Sequence, residues 1–365
     1  MGETKLNSIR VLVTPEIENP VLEELKKRFD LILQGKVAGS KKLMSEEELS
    51  AIVRIEDPEI LVIEAEPVTE KVLSEAKSLK LVICARGNPV NVDIRNCTKR
   101  GIIVTNAPGR NANAVAEFTI AEIICCARMI PQAHCALFNR QHTIDEPYDS
   151  RPPQKDVIWV HNSLNKRPYE LYKGIELEGR LLGLIGLGYI GAAVSKKANA
   201  LGMKVIAYDP FLERDAVTQI GADKAELDDV ISKADFISLH APVNESTIGM
   251  IGERELSLMK PTAFLINNSR GALVNQDALV KALCEKRIAG AALDVFKNEP
   301  LSDNDPLLEL DNVVLTPHIG GASSDVIRQH SRMILEDINA FANNDVPPHA
   351  LNHEEAKAFL KTQKK

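Results

Sequence analysis

What this chain lacks narrows its class before any motif is read. No apolar run approaches the ~20 residues needed to span a bilayer. The opening MGETKLNSIR is charged and polar, without the apolar stretch of a signal peptide. It starts Met-Gly, yet Leu6 stands where a myristoylation site needs Ser or Thr. A basic excess is missing too: 44 Lys and Arg against 51 Asp and Glu leave a net charge of −7. That balance argues against a surface built for nucleic-acid phosphates, though a few arginines could still hold a small anion. None of the six cysteines (84, 97, 125, 126, 135, 284) pairs as Cys-x-x-Cys, and most lie in apolar sequence. Buried free thiols in a reducing cytoplasm are expected, and no metal site. Neither a membrane nor a nucleic acid is an expected partner.

What is present is α/β alternation on a scale of about two domains for 365 residues. Runs rich in Val, Ile and Leu recur at IRVLVT (9–14), EILVIEA (59–65), KLVICA (80–85) and GIIVTN (101–106), separated by helical patterns such as VLEELKKRF. Continuously apolar strands between helices predict a parallel sheet buried on both faces. Residues 113–141 read as one long helix, bent near Pro131 and apolar on more than one face, as in a segment buried between domains or subunits. Residues 142–174 break the pattern with four prolines, the only Trp (159) and Tyr148, Tyr169 and Tyr172, and read as an ordered arm or lid. Alternation resumes at 181, with six strands expected at RLLGLIG, MKVIAYD, DFISLH, AFLINNS, IAGAALDV and NVVLTP. A helix over 322–342 is too small to fold alone. The expected fold is therefore two doubly wound parallel-sheet domains, one formed by 1–111 with 322–365 and the other by 112–321.

The stretch LLGLIGLGYIGAAVSKKANALGMKVIAYDP carries Gly186, Gly188 and Gly191 as G-x-G-x-x-G, directly after a strand and opening a helix. The first glycine suits a tight turn, the second a close approach of backbone to a pyrophosphate, the third close packing of helix on strand. Helix-terminal amides would face the phosphates. Asp209 ends the next strand, where a carboxylate can accept ribose hydroxyls and repel a 2′-phosphate; Pro210 and Phe211 follow, with no arginine. NAD is the expected cofactor rather than NADP.

Ligands in such folds lie beyond the carboxyl ends of the strands. Arg270 follows LINNS, Asp294 ends AALD, Glu299 lies in the next loop, and His318 follows VVLTP. These types suit hydride transfer on a 2-hydroxy acid: an arginine to fix a carboxylate, an imidazole to exchange the hydroxyl proton, a carboxylate to orient it. Taken singly, each has a plainer reading: turn histidine, salt-bridged arginine, solvated loop acid, helix-capping aspartate.

Together, GLGYIG…YDP, NNSRGALVNQDALVKAL, GAALDVFKNEP and TPHIGGAS resemble the D-isomer-specific 2-hydroxyacid dehydrogenases over nearly the whole chain, with NVDIRNCTKRGIIVTNAPG and EFTIAEIICCARMIPQAH extending the likeness. The resemblance implies a Rossmann NAD-binding domain inserted in a flavodoxin-like substrate domain. It places the catalytic residues at Arg270, Glu299 and His318. Cofactor contacts fall on Tyr189 and Ile190, on Ala241 and Pro242 beside His240, and on Asn268 and Ser269. Asp294 would hold the carboxamide, with Gly320 and Gly321 beside the nicotinamide. His240 reads as an adenine-side or packing residue; His134, His142, His161, His330, His349 and His353 as surface or helix residues. Formate dehydrogenases of the superfamily have glutamine where Glu299 stands, so Glu299 implies alcohol–ketone chemistry.

The branch most resembled acts on 3-phosphoglycerate and 3-phosphohydroxypyruvate. Alternatives are a glyoxylate/hydroxypyruvate reductase, a sugar-acid dehydrogenase, or, in another class, an NADH-sensing corepressor-like binding protein. The acid is expected between the domains, held by Arg270 and the loop of Arg86, Gly87 and Asn88. Arg86 and Arg110 would suit a second anionic group such as phosphate. The loop CARGNPVNVD is one residue shorter than the family's usual form. A homodimer or dimer of dimers is implied by the 113–138 helix, and the chain end implies no regulatory amino-acid-binding domain.

Overall fold

Continuously apolar strands with helices on both sides form two parallel sheets in the computed structural model, which describes residues 9–143 and 168–362. The chain divides into two compact units, Met1–Asn111 with Ala322–Lys365 and Ala112–Gly321. In the first unit the strands are β1 (Arg10–Val13), β2 (Asp30–Leu33), β3 (Ile60–Ile63), β4 (Leu81–Cys84) and β5 (Ile103–Thr105), in the order β2-β1-β3-β4-β5. Side chains alternate across this sheet. Val11 and Val13 pack with Ile334, Ile338 and Phe341 of the helix Ser324–Ala342, whereas Leu12 packs with Leu49 and Val53 on the other face. The 3- and 4-residue spacing of Ile334, Ile338 and Phe341 is the buried stripe of an amphipathic helix. β2 has no counterpart in the sequence reading. It is a half-buried edge strand of four residues directly after a helix, and its apolar run of Leu31, Ile32 and Leu33 is too short to stand apart from the helix before it.

The second unit holds β6 (Leu181–Ile185), β7 (Lys204–Tyr208), β8 (Asp223–Lys224), β9 (Phe236–Leu239), β10 (Phe264–Asn267), β11 (Gly290–Leu293) and β12 (Val313–Leu315). Their order is β12-β11-β10-β9-β6-β7-β8. The six expected strands are all present; β8 adds a two-residue edge with no apolar signal of its own. The strand order reverses between β6 and β9, the point at which a doubly wound sheet opens a crevice at its carboxyl edge.

The expected single helix over 113–141 is instead two, Ala112–Arg128 and Ile130–Phe138, with Met129 between them in the left-handed region at φ 52°. Pro131 has no N–H to give the carbonyl of Ala127 four residues back. The Ile175 N–H takes that carbonyl at 2.9 Å. The approach needs Gly174, since a Cβ there would lie 2.1 Å from the same oxygen. Most of the predicted 142–174 arm, with Tyr148, Trp159 and His161, lies outside the described residues. At its edges, His142 Nε2 stands 3.0 Å from the Tyr172 hydroxyl.

Two cysteines depart from the buried state expected. Cys135 and Cys284 are exposed, Cys135 on a short helix that buries only Ala136. Desolvation pushes the thiols of Cys84 and Cys97 up to about 11 and about 12. Among the described residues no helix is long and apolar enough to cross a membrane.

Candidate active site

The glycine loop after β6 has the shape its spacing implies. Gly186 sits at φ 95°, and a Cβ on it would lie 2.8 Å from the His240 carbonyl. A Cβ on Gly191 would come 2.3 Å from the Gly186 oxygen. At Gly188 nothing stands within 4 Å of that position, so the loop is tight behind and open in front. The helix Tyr189–Ala200 starts at Gly188 with no side-chain cap, so the amides of Tyr189, Ile190 and Gly191 face the open side. Asp209, at the end of β7, accepts from the Leu187 N–H at 2.9 Å and the Phe211 N–H at 2.9 Å, which ties the glycine loop to the following turn. His240 ends β9 with Nε2 2.9 Å from Ser238 Oγ. Desolvation pushes its imidazole down to about 4, so it is neutral at physiological pH. Its backbone is what Gly186 packs against.

The loop after β10 is fixed from both ends. Ser269 Oγ donates to the Ala241 carbonyl at 2.8 Å, beside exposed Pro242, and Asn267 Nδ2 donates to the Arg270 carbonyl at 3.0 Å. Arg270 is exposed, and among the described residues its side chain makes one hydrogen bond, from Nη1 to the Ser269 carbonyl at 2.6 Å. Gly271 lets the loop after β11 cross directly behind the arginine; a Cβ there would lie 2.0 Å from the Phe296 oxygen.

That crossing brings Glu299 toward Arg270 and onto His318. Glu299 Oε1 accepts from the Phe296 N–H at 3.0 Å, and Oε2 lies 2.7 Å from His318 Nδ1. Partial burial works to raise the Glu299 carboxyl. The hydrogen bonds from His318 and Phe296 and the charges of His318 and Arg270 outweigh it, so the carboxyl titrates below its ordinary range. His318 is half exposed, and its Nε2 has no partner among the described residues. A largely apolar cavity of about 590 Å³ opens beside the pair, walled by Phe296, Leu301, Leu315 and Pro317. His318 itself stands at φ 55°, a left-handed conformation that costs a non-glycine residue about 1–2 kcal/mol.

Asp294 holds that conformation. Buried at the end of β11, it accepts from Thr316 Oγ1 at 2.7 Å, the Ile319 N–H at 2.8 Å and the Gly320 N–H at 2.7 Å. Three of its acceptor positions are thus used on the loop that carries His318. Gly320 is buried against it and Gly321 is half-buried. Asn268 Nδ2 donates to Thr119 Oγ1 at 3.0 Å, so its side chain turns toward the helix Ala112–Arg128. That helix supplies a residue the sequence reading passed over, Glu122, which is 3% exposed beneath the strand ends. Its only signal was an acid inside an otherwise apolar helical run.

The first unit contains the remaining predicted residues. Arg86 is half-buried, and Gly87 and Asn88 are exposed in the loop after β4, where the Gly87 carbonyl accepts from Asn106 Nδ2 at 2.7 Å. Arg110 is not a free loop arginine. Its Nη2 donates to Glu64 at 2.9 Å and its Nη1 to His330 Nδ1 at 2.9 Å, and its side chain is 16% exposed. His330, expected as a surface or helix residue, lies on the helix Ser324–Ala342 and is 2% exposed, paired with Arg110. His142 is likewise buried.

The family model described as the NAD binding domain of D-isomer specific 2-hydroxyacid dehydrogenases matches residues 109–320. A glyoxylate reductase of Korarchaeum cryptofilum is 36% identical over 350 residues, covering 95% of this chain and 97% of its own. A D-3-phosphoglycerate dehydrogenase of Methanocaldococcus jannaschii is 35% identical over 346 residues, and this chain spans only 59% of its length. The crystal structure of an NAD-complexed D-isomer specific 2-hydroxyacid dehydrogenase from Lactobacillus delbrueckii superposes with a TM-score of 0.73 at 26% identity, covering 94% of this chain and 99% of that one. The likeness is thus shared between reductase and phosphoglycerate branches and does not single out the second.

Proposed function

This chain belongs to the D-isomer-specific 2-hydroxyacid dehydrogenase family, and from that premise we propose that it is an NADH-dependent reductase of small unphosphorylated 2-keto acids, glyoxylate and hydroxypyruvate. Its chemistry rests on one observation: His318 is held by Glu299 through Nδ1 and presents an Nε2 unbonded among the described residues. The nicotinamide cofactor, when bound, supplies the hydride or accepts it. The residues present fit that cofactor, since Gly188 leaves an open approach to uncapped helix amides and Asp209 stands where a ribose would lie. The Asp209 carboxylate, followed by Pro210 and Phe211, favours NAD over a 2′-phosphorylated nucleotide.

Arg270 has guanidinium N–H groups free for a two-pronged grip on the substrate carboxylate. In reduction, His318 delivers its Nε2 proton to the keto oxygen as C2 becomes the carbinol carbon; in oxidation it takes that proton back. Glu299, ionised, steadies the imidazolium and fixes which nitrogen faces the substrate.

The substrate reading draws on Arg110 as well as on the relatives. A phosphorylated acid needs a second cation, and one of the two arginines considered for that role is bonded to Glu64 and His330 instead. Steady-state kinetics with NADH on glyoxylate, hydroxypyruvate and 3-phosphohydroxypyruvate test this. A missing charge-assisted hydrogen bond is worth about 1.5–3 kcal/mol, so kcat/KM should be at least about tenfold lower for the phosphorylated acid. The reverse ranking would return the chain to the phosphoglycerate branch.

A further inference from the structure

The buried acid beneath the strand ends has no role in the mechanism above, and its hydrogen-bond geometry is short of one hydrogen. Thr316 Oγ1 lies 2.7 Å from Asp294 Oδ1 and 3.4 Å from Glu122 Oε1. A hydroxyl has a single hydrogen, and the short contact directs it to Asp294. The second contact then joins two acceptors unless Glu122 brings a hydrogen of its own. Two further atoms tell the same story: Glu122 Oε2 and Asn268 Oδ1 are both buried and neither has a partner among the described residues. The Asn268 Nδ2 contact goes to Thr119 Oγ1, whose own hydrogen goes to the Val115 carbonyl at 2.8 Å. Glu122 Oε1, Glu122 Oε2 and Asn268 Oδ1 are thus three acceptors set against one uncommitted hydrogen, the second on Asn268 Nδ2, so the cluster is short of donors.

We propose that Glu122 is held as a neutral carboxylic acid and acts as a positioning residue, its proton closing a buried network with Thr316, Asp294 and Asn268 that sets the loop carrying His318. The link to that loop is direct, because Asp294 also accepts from the N–H groups of Ile319 and Gly320. The electrostatics agree. Asp294, beyond β11, is the charged group that acts on Glu122; the loops after β10 and β12 bring the neutral Asn268 and Thr316. On its own helix the neighbours are Cys125 and Cys126, whose thiols desolvation holds above their usual range. From the packed helix Tyr189–Ala200, Lys197 is paired at the surface with Glu117 at 3.0 Å. No cation compensates a charge at Glu122 among the described residues, and an ionised carboxylate buried without one is far costlier than the acid. Burial pushes the carboxyl up to about 8, and the Asp294 charge adds to it, against the lowering influence of the neighbouring Asn268 and Thr316 side chains. Ionisation above that value sets two negative charges on one threonine and loosens the loop.

Three forms of the full chain test this: native, Glu122→Gln and Glu122→Leu. The first measurement is thermal melting from about pH 5 to about pH 10. A carboxyl with a raised folded-state pKa keeps a proton that the unfolded chain has released, so stability falls as pH rises from the ordinary carboxylate range to about 8. The native protein should lose stability relative to Glu122→Gln across that window. Parallel curves, or a native protein that gains on the variant as pH rises, would overturn the proposal. Isotope-edited infrared spectra should show a protonated-carboxyl stretch at neutral pH that Glu122→Gln removes; its absence from the native protein has the same force. The kinetic arm alone rests on the function proposed above. There the native kcat for glyoxylate should fall more steeply on the alkaline side than loss of the His318 proton alone requires, with KM nearly constant, and Glu122→Gln should remove that excess while keeping the His318 limb. Glu122→Leu should lower kcat about tenfold at every pH, and a kcat equal to that of Glu122→Gln would make the residue mere packing. A chain inactive on every 2-keto acid would end the functional reading while leaving the melting and infrared results to judge Glu122.

Discussion

Each unit of the molecule brings together an arginine, a glutamate and a histidine, and the two sets differ in what they leave unbonded. In the first unit Arg110, Glu64 and His330 are largely buried and their strong donors are engaged. Arginine can only donate, so the 2.9 Å contact makes His330 Nδ1 an acceptor and puts its hydrogen on Nε2, which reaches the Glu16 carbonyl at 2.8 Å. Desolvation holds that imidazole below its ordinary range, with the Arg110 charge adding to it, so it stays neutral. In the second unit Arg270, Glu299 and His318 are exposed, His318 Nε2 is free, and Arg270 uses one N–H on a carbonyl of its own loop. The same three side-chain types thus make a tie in one place and a reactive group in the other. Residual bonding capacity and access separate them, not residue type.

The largest expected effect breaks the open set. His318→Gln keeps a polar side chain of similar reach but cannot exchange a proton at neutral pH. It should lower kcat for 2-keto-acid reduction by about 10²–10⁴-fold. Because the side chain is half exposed, Tm should move by no more than about 2 °C. A small kinetic loss with a large drop in Tm would mean the open set is structural after all.

Next comes the closed set. Arg110→Met leaves Glu64 with only Lys36 and leaves His330 Nδ1 without a donor, and charge-assisted bonds of this kind are worth about 1.5–3 kcal/mol each. Urea unfolding should show a loss of that order, with KM for glyoxylate unchanged. A large rise in KM with stability intact would instead make Arg110 a substrate residue.

The contrast between the sets marks where sequence reading succeeds. Strands of a sheet covered on both faces are unbroken apolar runs, and the glycine spacing around Gly186 is local, so β1, β3, β4 and β5 and every strand of the second unit except β8 were legible. So were Arg270, Glu299 and His318 as strand-end residues, since each directly follows or closely trails an apolar run. What was not legible depends on distant partners. Arg110 looked like an available cation, because Glu64 and His330 are 46 and 220 positions away. The break at Met129 needs Gly174 and Ile175 to take over the Ala127 carbonyl. Glu122 looked like an irregularity in an apolar helix, and only the strand-end loops that fold over it give it bonding partners.

The smallest effect sharpens the comparison within the closed set. Lys36 Nζ also pairs with Glu64, at 2.7 Å, but its side chain is 42% exposed whereas that of Arg110 is 16% exposed. An exposed ammonium loses much of its attraction to solvent screening and loses side-chain freedom on pairing, so Lys36→Met should cost at most about 1 kcal/mol. That corresponds to a fall in Tm of about 2–4 °C or less, reduced further by added salt. The share of each deficit owed to Glu64 has one pH dependence. Burial works to raise the Glu64 carboxyl, but its bonds to Lys36 and Arg110 hold it below the ordinary range. The stability those pairs add is therefore present above that range and lost as pH falls through the depressed value. In acid the small gap of Lys36→Met should close on the native curve, and the large gap of Arg110→Met should narrow by the share owed to Glu64, leaving that of the His330 contact. Equal gaps at neutral pH would show that contact with Glu64, rather than burial of the contact, sets the strength of the tie.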